Sequence, residues 1–108
     1  LYNIRFIGMR FFTVYGPWGR PDMALFKFTK SIIENKKINL FNHGLHRRNF
    51  SYVDDVVEMI FRLSNIKIKR KHEIFNIANK NNYALKEYIY WIEKIIGKKS
   101  HADKSNII

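Results

Sequence analysis

Residues 10–22, RFFTVYGPWGRPD, decide how this chain folds. Residues 10–15 are aromatic and β-branched, which favours a packed β-strand, and Gly16 and Pro17 then end that strand abruptly. The two prolines of the stretch fix the backbone φ angle and its two glycines relax steric limits, so the segment loses little entropy when it adopts one shape. The stretch therefore predicts a buried strand that leads directly into a rigid turn.

Arg20 lies at the end of that turn. A guanidinium on a pre-ordered loop can hold a planar anion, a carboxylate or a phosphate, through two parallel hydrogen bonds. The alternative is that Arg20 is a solvated loop residue, since loops rich in glycine and proline are far commoner than binding sites. The residues of the turn alone favour the solvated loop and leave the anion site open.

The charge of the chain indicates an anionic partner. Its 108 residues include 20 Lys and Arg against 9 Asp and Glu, which gives a net charge of +11. Much of the excess is lysine in polar stretches, which is typical of a solvated surface.

The absence of cysteine excludes disulfides, thiolate zinc sites and thiol nucleophiles, and it is compatible with a reducing cytoplasm. No apolar run approaches the roughly 20 residues that a membrane span needs. We therefore expect a soluble, cytoplasmic protein without a membrane partner.

Short apolar strands alternate with amphipathic helices along the chain, which predicts an α/β or α+β arrangement. The patterns predict strands at residues 38–41, 50–53 and 73–78, and helices at residues 24–35, from residue 54 and from residue 85 to Gly97. The second helix is expected to begin with a capping box formed by Asp55 and Glu58. Its predicted buried residues are Val56, Val57, Ile60, Phe61 and Leu63. The tail after Lys98 lacks periodicity and is expected to be frayed or cut short.

Several catalytic and cofactor motifs are absent from the sequence. Gly16 and Gly19 have neither the spacing nor the strand-to-helix setting of a dinucleotide or phosphate-binding loop. Neither a Gly-x-Ser-x-Gly nor a His-Glu-x-x-His pattern occurs. His43 and His46 have no third ligand nearby, so we interpret them as loop residues and predict no metal site.

Tyr90 and Lys94 have the Tyr-x-x-x-Lys spacing that short-chain oxidoreductases use for proton transfer, and a helix would place both on one face. No cofactor motif precedes this pair, and such pairs arise often by chance in a chain rich in both residues. We interpret them as a pair on the helix surface.

Arg47 and Arg48 lie in the loop before a short predicted strand, where they could converge on a phosphate together with Arg20. The alternative is a solvated basic loop, and the loop by itself does not decide between the two.

Taken together, the run at residues 10–22 and the run RRNFSYVDD at residues 47–55 resemble the carboxy-terminal half of the NAD-dependent sugar-nucleotide epimerases. These are extended short-chain dehydrogenase/reductase proteins, and the closest subgroup is the UDP-glucuronate 4-epimerases. The resemblance is strong from Leu1 to about Leu63 and looser at residues 75–79 and the helix that follows. It implies an α/β, Rossmann-type fold in which residues 1–108 form a single partial domain, the last strand of the Rossmann half plus the substrate-binding region.

The resemblance also implies roles for individual residues of a UDP-sugar site. Thr13 would face the sugar, and Arg20 would bind the glucuronate carboxylate. Asn39 and Phe41 would lie against the uracil ring, and Arg48 would contact the diphosphate.

The cofactor and catalytic residues of the family lie upstream of the region that matches Leu1. The resemblance implies that the intact enzyme binds NAD and is a homo-oligomer. Phe11 corresponds to the strand position that passes the nicotinamide end of NAD. We therefore expect this chain to bind the UDP-sugar but to be inactive alone, with no catalytic residue of its own.

The sequence departs from the family at two places. The position after Arg48 is usually aspartate and is Asn49 here, so a local ion pair is expected to be lost. We also expect no counterpart for a further phosphate-binding arginine, which the family has in its far carboxy-terminal segment. Asp54 and Asp55 are read as helix cap and anchor rather than as catalytic acids.

Two alternatives remain open. The first is a basic module that binds nucleic acid, which the net charge of +11 and the aromatic content support. The second is a fragment of a related UDP-glucuronate decarboxylase or sugar dehydratase, which upstream residues would distinguish.

Overall fold

A computed structural model describes residues 3–103 of the chain. In chain order its elements are β1 (Phe6–Phe11), β2 (Thr13–Tyr15), α1 (Ala24–Ile33), β3 (Lys37–Asn39), a 3-10 helix (Phe41–Gly44), β4 (Arg47–Arg48), β5 (Phe50–Tyr52), α2 (Val53–Asn65), β6 (His72–Ile77), β7 (Tyr83–Ala84), α3 (Leu85–Ile96) and β8 (His101–Asp103). The strands alternate with helices, as the α/β prediction requires. The chain forms two compact units.

The first unit consists of the chain up to Pro17 together with Asn49–Lys80. In it β1 pairs in parallel with β6, and β2 pairs in parallel with β5. Parallel strands need a crossover connection, and α2 lies between β5 and β6 in the chain. The carboxyl ends of β1 and β6 therefore meet at one edge, with Phe11 opposite Ile77.

The predicted strand at residues 10–15 is two strands that are separated at Phe12. The Phe12 N–H still donates to the carbonyl of Ile77 at 3.2 Å, and from Thr13 onward the chain pairs with β5 instead. The expectation that this stretch is buried is wrong, because Phe11 is 48% exposed and Phe12 is 52% exposed. Each sheet in the described residues has only two strands, which leaves too little surface to cover these rings.

Gly16 follows β2 and allows close packing against the start of α2. Its φ angle is +142°, and a Cβ atom there would lie 2.6 Å from Cγ1 of Val53. A side chain at this position would therefore clash with the helix.

The predicted beginning of α2 is wrong. The helix begins at Val53, with Tyr52 as its N-cap residue and no side-chain cap hydrogen bond, so Asp55 and Glu58 do not form a capping box. Asp54 and Asp55 lie in the first turn instead, where a carboxylate interacts favourably with the helix dipole.

The buried face of α2 is narrower than its periodicity predicts. Val56 is buried and Ile60 and Leu63 are half-buried, but Val57 is 57% exposed and Phe61 is 64% exposed. The described residues therefore supply a surface to only one side of this helix.

The second unit consists of Trp18–Arg48 and the chain from Asn81 onward. Helices α1 and α3 pack around a core of Phe28, Ile32, Ile38 and Ile89. Strand β3 pairs in parallel with β8, and β4 pairs antiparallel with β7.

The predictions for this unit are confirmed for α1 and α3 and wrong for one strand end. Helix α3 ends as predicted at Gly97, which adopts a φ of +75° and donates its N–H to the Glu93 carbonyl at 2.8 Å. Phe41 is not part of a strand, because β3 ends at Asn39 and Phe41 begins the 3-10 helix.

The segment after Lys98 is not frayed in its described part. Oε1 of Glu93 accepts hydrogen bonds from the backbone N–H and the hydroxyl of Ser100, at 2.8 and 2.5 Å, and residues 101–103 then form β8. The rest of the tail lies outside the described residues.

Candidate functional site

Arg20 lies in a short turn that leads into α1. Its carbonyl accepts a hydrogen bond from the N–H of Met23 at 3.2 Å, which closes the turn over Pro21 and Asp22. Within the turn, Nε of Arg20 donates to Oδ1 of Asp22 at 3.0 Å and Nη2 donates to Oδ2. The guanidinium therefore already holds a planar carboxylate through two parallel hydrogen bonds, which is the chemistry predicted for a ligand.

The Arg20–Asp22 pair is open to water. Its side chains are 75% and 56% exposed, respectively. The hydrogen bonds and charge of Asp22 raise the pKa of Arg20, and the same hydrogen bonds lower the pKa of the Asp22 carboxyl. An exposed ion pair of this kind contributes little to stability.

The two residues predicted to contact uracil lie next to each other along the second unit. Asn39 ends β3 and is exposed, and Phe41 is 61% exposed at the start of the 3-10 helix. The next residues, Asn42, His43 and Gly44, have φ angles of +47°, +51° and +69°. Asn and Gly tolerate such left-handed angles better than other residues do, and Phe41 presents an exposed ring just before this turn.

The two arginines of β4 differ in their surroundings. Nη2 of Arg47 donates to the backbone carbonyl of Asn82 at 2.5 Å. Arg48 pairs with Tyr83 through its backbone, and its exposed guanidinium has no hydrogen-bond partner among the described residues. Arg48 is therefore the better placed of the two to bind an anion.

Asn49 links the start of β5 to the loop after β6. Its Nδ2 donates to the Asn79 carbonyl at 2.5 Å, and its Oδ1 accepts from the Asn79 N–H at 2.8 Å. An aspartate could accept the second hydrogen bond but could not donate the first. The Asn49 amide thus joins the two segments through a reciprocal pair of hydrogen bonds.

The predicted site residues fall in both units. Phe11 and Thr13 belong to the first unit, where Phe11 ends β1 and Thr13, half-buried, begins β2 opposite Phe50. The second unit contains Arg20, Asn39, Phe41 and Arg48.

Tyr90 and Lys94 form a pair on the surface of α3, as the sequence predicts. Tyr90 is 52% exposed on α3, and Nζ of Lys94 lies 5.4 Å from the centre of the Trp91 ring. Residues 3–103 contain no cluster of three or more side chains suited to a metal ion. Within the same residues, no helix combines the length and apolar character needed to cross a membrane.

Sequence and structure comparisons bear on these observations. The model of the NAD dependent epimerase/dehydratase family matches residues 1–78. The chain is 44% identical to Protein CapI of Staphylococcus aureus, over 93% of this chain and 35% of that protein. It is 38% identical to a UDP-glucuronate 4-epimerase of Thermodesulfobacterium geofontis, over 98% of this chain and 32% of that protein.

A solved structure has the same fold. The UDP-glucuronic acid 4-epimerase of Bacillus cereus, in complex with UDP-glucuronic acid and NAD, superposes with a TM-score of 0.82 at 35% identity. The match covers 88% of this chain and 30% of that one, so the chain spans about a third of the length of these relatives. The resemblance carried by residues 10–22 and 47–55 is thereby confirmed, and the chain belongs to the NAD dependent epimerase/dehydratase family.

Proposed function

We propose that this chain is the sugar-nucleotide-binding part of an NAD-dependent UDP-glucuronate 4-epimerase. The observation that carries the proposal is the exposed guanidinium of Arg20, which holds the Asp22 carboxylate through two parallel hydrogen bonds and has a second pair of N–H donors that make no hydrogen bond among the described residues. Relatives named UDP-glucuronate 4-epimerase and a neighbour bound to UDP-glucuronic acid support it.

Arg20 would bind the carboxylate of the sugar, and Thr13 would face the sugar ring. A two-point grip fixes the plane of the carboxylate as well as its position. This orientation matters because a 4-keto uronate can lose carbon dioxide, and a held carboxylate is restrained from the geometry that this loss needs.

The nucleotide end would be held by a different set of residues. Phe41 offers an exposed ring on which uracil can stack, and Asn39 offers amide groups next to it. Arg48 would donate charge-assisted hydrogen bonds to the diphosphate.

The described residues contain no strand-to-helix phosphate loop of the kind that binds a dinucleotide. Gly16 serves the contact with Val53, and the next helix, α1, begins only at Ala24, so the turn is not a strand-to-helix phosphate loop. Phe11, exposed at the end of β1, is the one residue we assign to the cofactor. NAD would supply hydride transfer at the sugar C4 in the intact enzyme, and its binding needs residues beyond these.

Replacement of Arg20 by alanine tests the carboxylate role. We expect Arg20→Ala to weaken the binding of UDP-glucuronate by the 108-residue chain about tenfold, because a charge-assisted pair of hydrogen bonds is lost. Binding of UDP-glucose, which has no carboxylate, should change less than about twofold. Isothermal titration calorimetry measures both affinities.

Arg62→Ala is a matched control, since Arg62 is also 75% exposed and also paired with a carboxylate, that of Glu58 at 2.7 Å. It should leave both affinities unchanged. An equal loss for the two sugars in Arg20→Ala would refute the carboxylate role.

A further inference from the structure

Asp22 engages only one edge of the Arg20 guanidinium. The planar group carries five N–H donors arranged in forks. The fork formed by Nε and Nη2 is directed to the two carboxylate oxygens of Asp22. The second fork, formed by Nη1 and the outward N–H of Nη2, makes no hydrogen bond among the described residues. It can donate two hydrogen bonds to a second carboxylate in the same plane.

The backbone fixes where Asp22 lies. The turn is closed by the hydrogen bond from Met23 to the Arg20 carbonyl, and the Met23 carbonyl accepts the first helical hydrogen bond of α1, from Lys27 at 3.0 Å. Pro21, between the two charged residues, has a fixed φ angle. Asp22 is therefore attached to the start of a helix whose inner face lies in the core of the second unit.

The pair affects binding more than stability. An exposed ion pair adds little to the free energy of unfolding. An arginine side chain without a partner would, however, lose its rotational freedom when it binds a ligand, and a partner that orders it beforehand removes much of that cost. The charge of Asp22 would repel a ligand carboxylate, but Arg20 neutralises that charge and water screens it.

We propose that Asp22 is a positioning residue that makes this site selective for sugar nucleotides bearing a carboxylate. It holds one fork of Arg20 so that the other points outward, ready for the carboxylate of the ligand. The proposal rests on the proposed role of Arg20 in binding a uronate. It adds a residue that does not itself contact the ligand.

Asp22→Asn in the 108-residue chain tests the proposal by calorimetric titration with UDP-glucuronate and UDP-glucose. The variant keeps the size of the side chain but places an amide where Nη2 needs an acceptor. We expect the affinity for UDP-glucuronate to fall about fivefold and the affinity for UDP-glucose to change less than about twofold, because only the carboxylate uses the outward fork.

Glu58→Gln is the matched control, because Glu58 is 56% exposed like Asp22 and also pairs with an exposed arginine. It should change neither affinity. The side-chain Nε–H of Arg20 gives a readout without ligand: it should exchange with water more slowly in the unmodified chain than in Asp22→Asn.

The outcomes separate this inference from the proposed function. If the unmodified chain prefers UDP-glucuronate and Asp22→Asn binds it equally or more tightly, Asp22 is a bystander or a competitor and the inference is wrong. Parallel loss for both sugars with a lower melting temperature would show a purely structural role and also refute it. If the folded chain binds neither sugar, the proposed function fails and the inference fails with it.

Discussion

At the scale of single residues, the side-chain amide of Asn49 joins two segments that are 30 positions apart in the chain. We expect Asn49→Asp to lower the free energy of unfolding by about 1–2 kcal/mol at neutral pH, because the Asn79 carbonyl loses its donor and faces a carboxylate instead. Urea denaturation measures the change. The loss should diminish in acid, where a protonated carboxyl can donate again.

Asn76→Asp is a suitable control, since Asn76 is exposed on β6 and the substitution makes the same change in charge. Its effect should stay within about 0.5 kcal/mol. If the two variants are equally destabilised, the charge and not the lost hydrogen bond is responsible.

Residue types predicted that Arg20 can hold a carboxylate, and the backbone conformation decides that Asp22 is the one it holds in this structure. The chemistry of Arg20 follows from a guanidinium on a turn, but its pairing with Asp22 depends on how the chain bends at Pro21, which spacing does not reveal. Trp18 adopts a φ of +63°, and nothing in its residue type predicts this, since bulky residues rarely do so.

At the scale of elements, the side chain of Glu93 links the end of α3 to Ser100, which directly precedes β8. Hydrogen bonds from the hydroxyl and the backbone N–H of Ser100 lower the pKa of this carboxyl. The positive charge of Lys99, whose Nζ lies 3.5 Å from Oε2 of Glu93, lowers it further. A lowered pKa in the folded state means that the stabilisation is present above the ordinary carboxyl pKa. It is lost as the pH falls through the lowered value.

We expect Glu93→Gln to destabilise the chain by about 1 kcal/mol at pH 7, because a charge-assisted hydrogen bond becomes a neutral one. The difference between the variant and the unmodified chain should shrink as the pH falls through the lowered pKa. Urea denaturation at several pH values tests this, with Glu58→Gln as the exposed control. A difference that is independent of pH would contradict the role of the charge.

Periodicity predicted the elements best where each contacts a core within the described residues. Helices α1 and α3 and strand β6 lie where the pattern predicts them, and Gly97 ends α3 because a left-handed residue is required there. The break at Phe12 arises where the chain changes its pairing partner from β6 to β5. The 3-10 helix that begins at Phe41 contains residues with left-handed φ angles. The local sequence pattern predicts neither feature. The apolar periodicity of α2 likewise predicts more buried residues than the structure shows.

At the scale of the whole molecule, the residues that we propose for ligand recognition are not accompanied by a complete set of proposed catalytic residues. We expect the purified 108 residues to form no product from UDP-glucuronate and NAD above the rate without protein, because no glycine-rich cofactor loop is present and the Tyr90–Lys94 pair lies on an exposed helix face. Chromatography of the sugar nucleotides measures product. The Bacillus cereus epimerase is the positive control.

Turnover that depends on NAD and follows the chain through purification would contradict this expectation. It would also require an acid/base pair that neither the sequence motifs nor the described side chains reveal.

The parallel pairing of β1 with β6 has a consequence for the order of folding. Phe6 lies opposite His72, so the pair forms only after a loop of about 65 residues closes, and closure of long loops slows folding. During synthesis, the first segment of the second unit, Trp18–Arg48, is made before β6. The core of that unit is complete only after α3 has been made, because it includes Ile89. Synthesis of the two units is thus interlaced, and the aromatic residues of β1 lack this pairing partner until residue 77 has been synthesised.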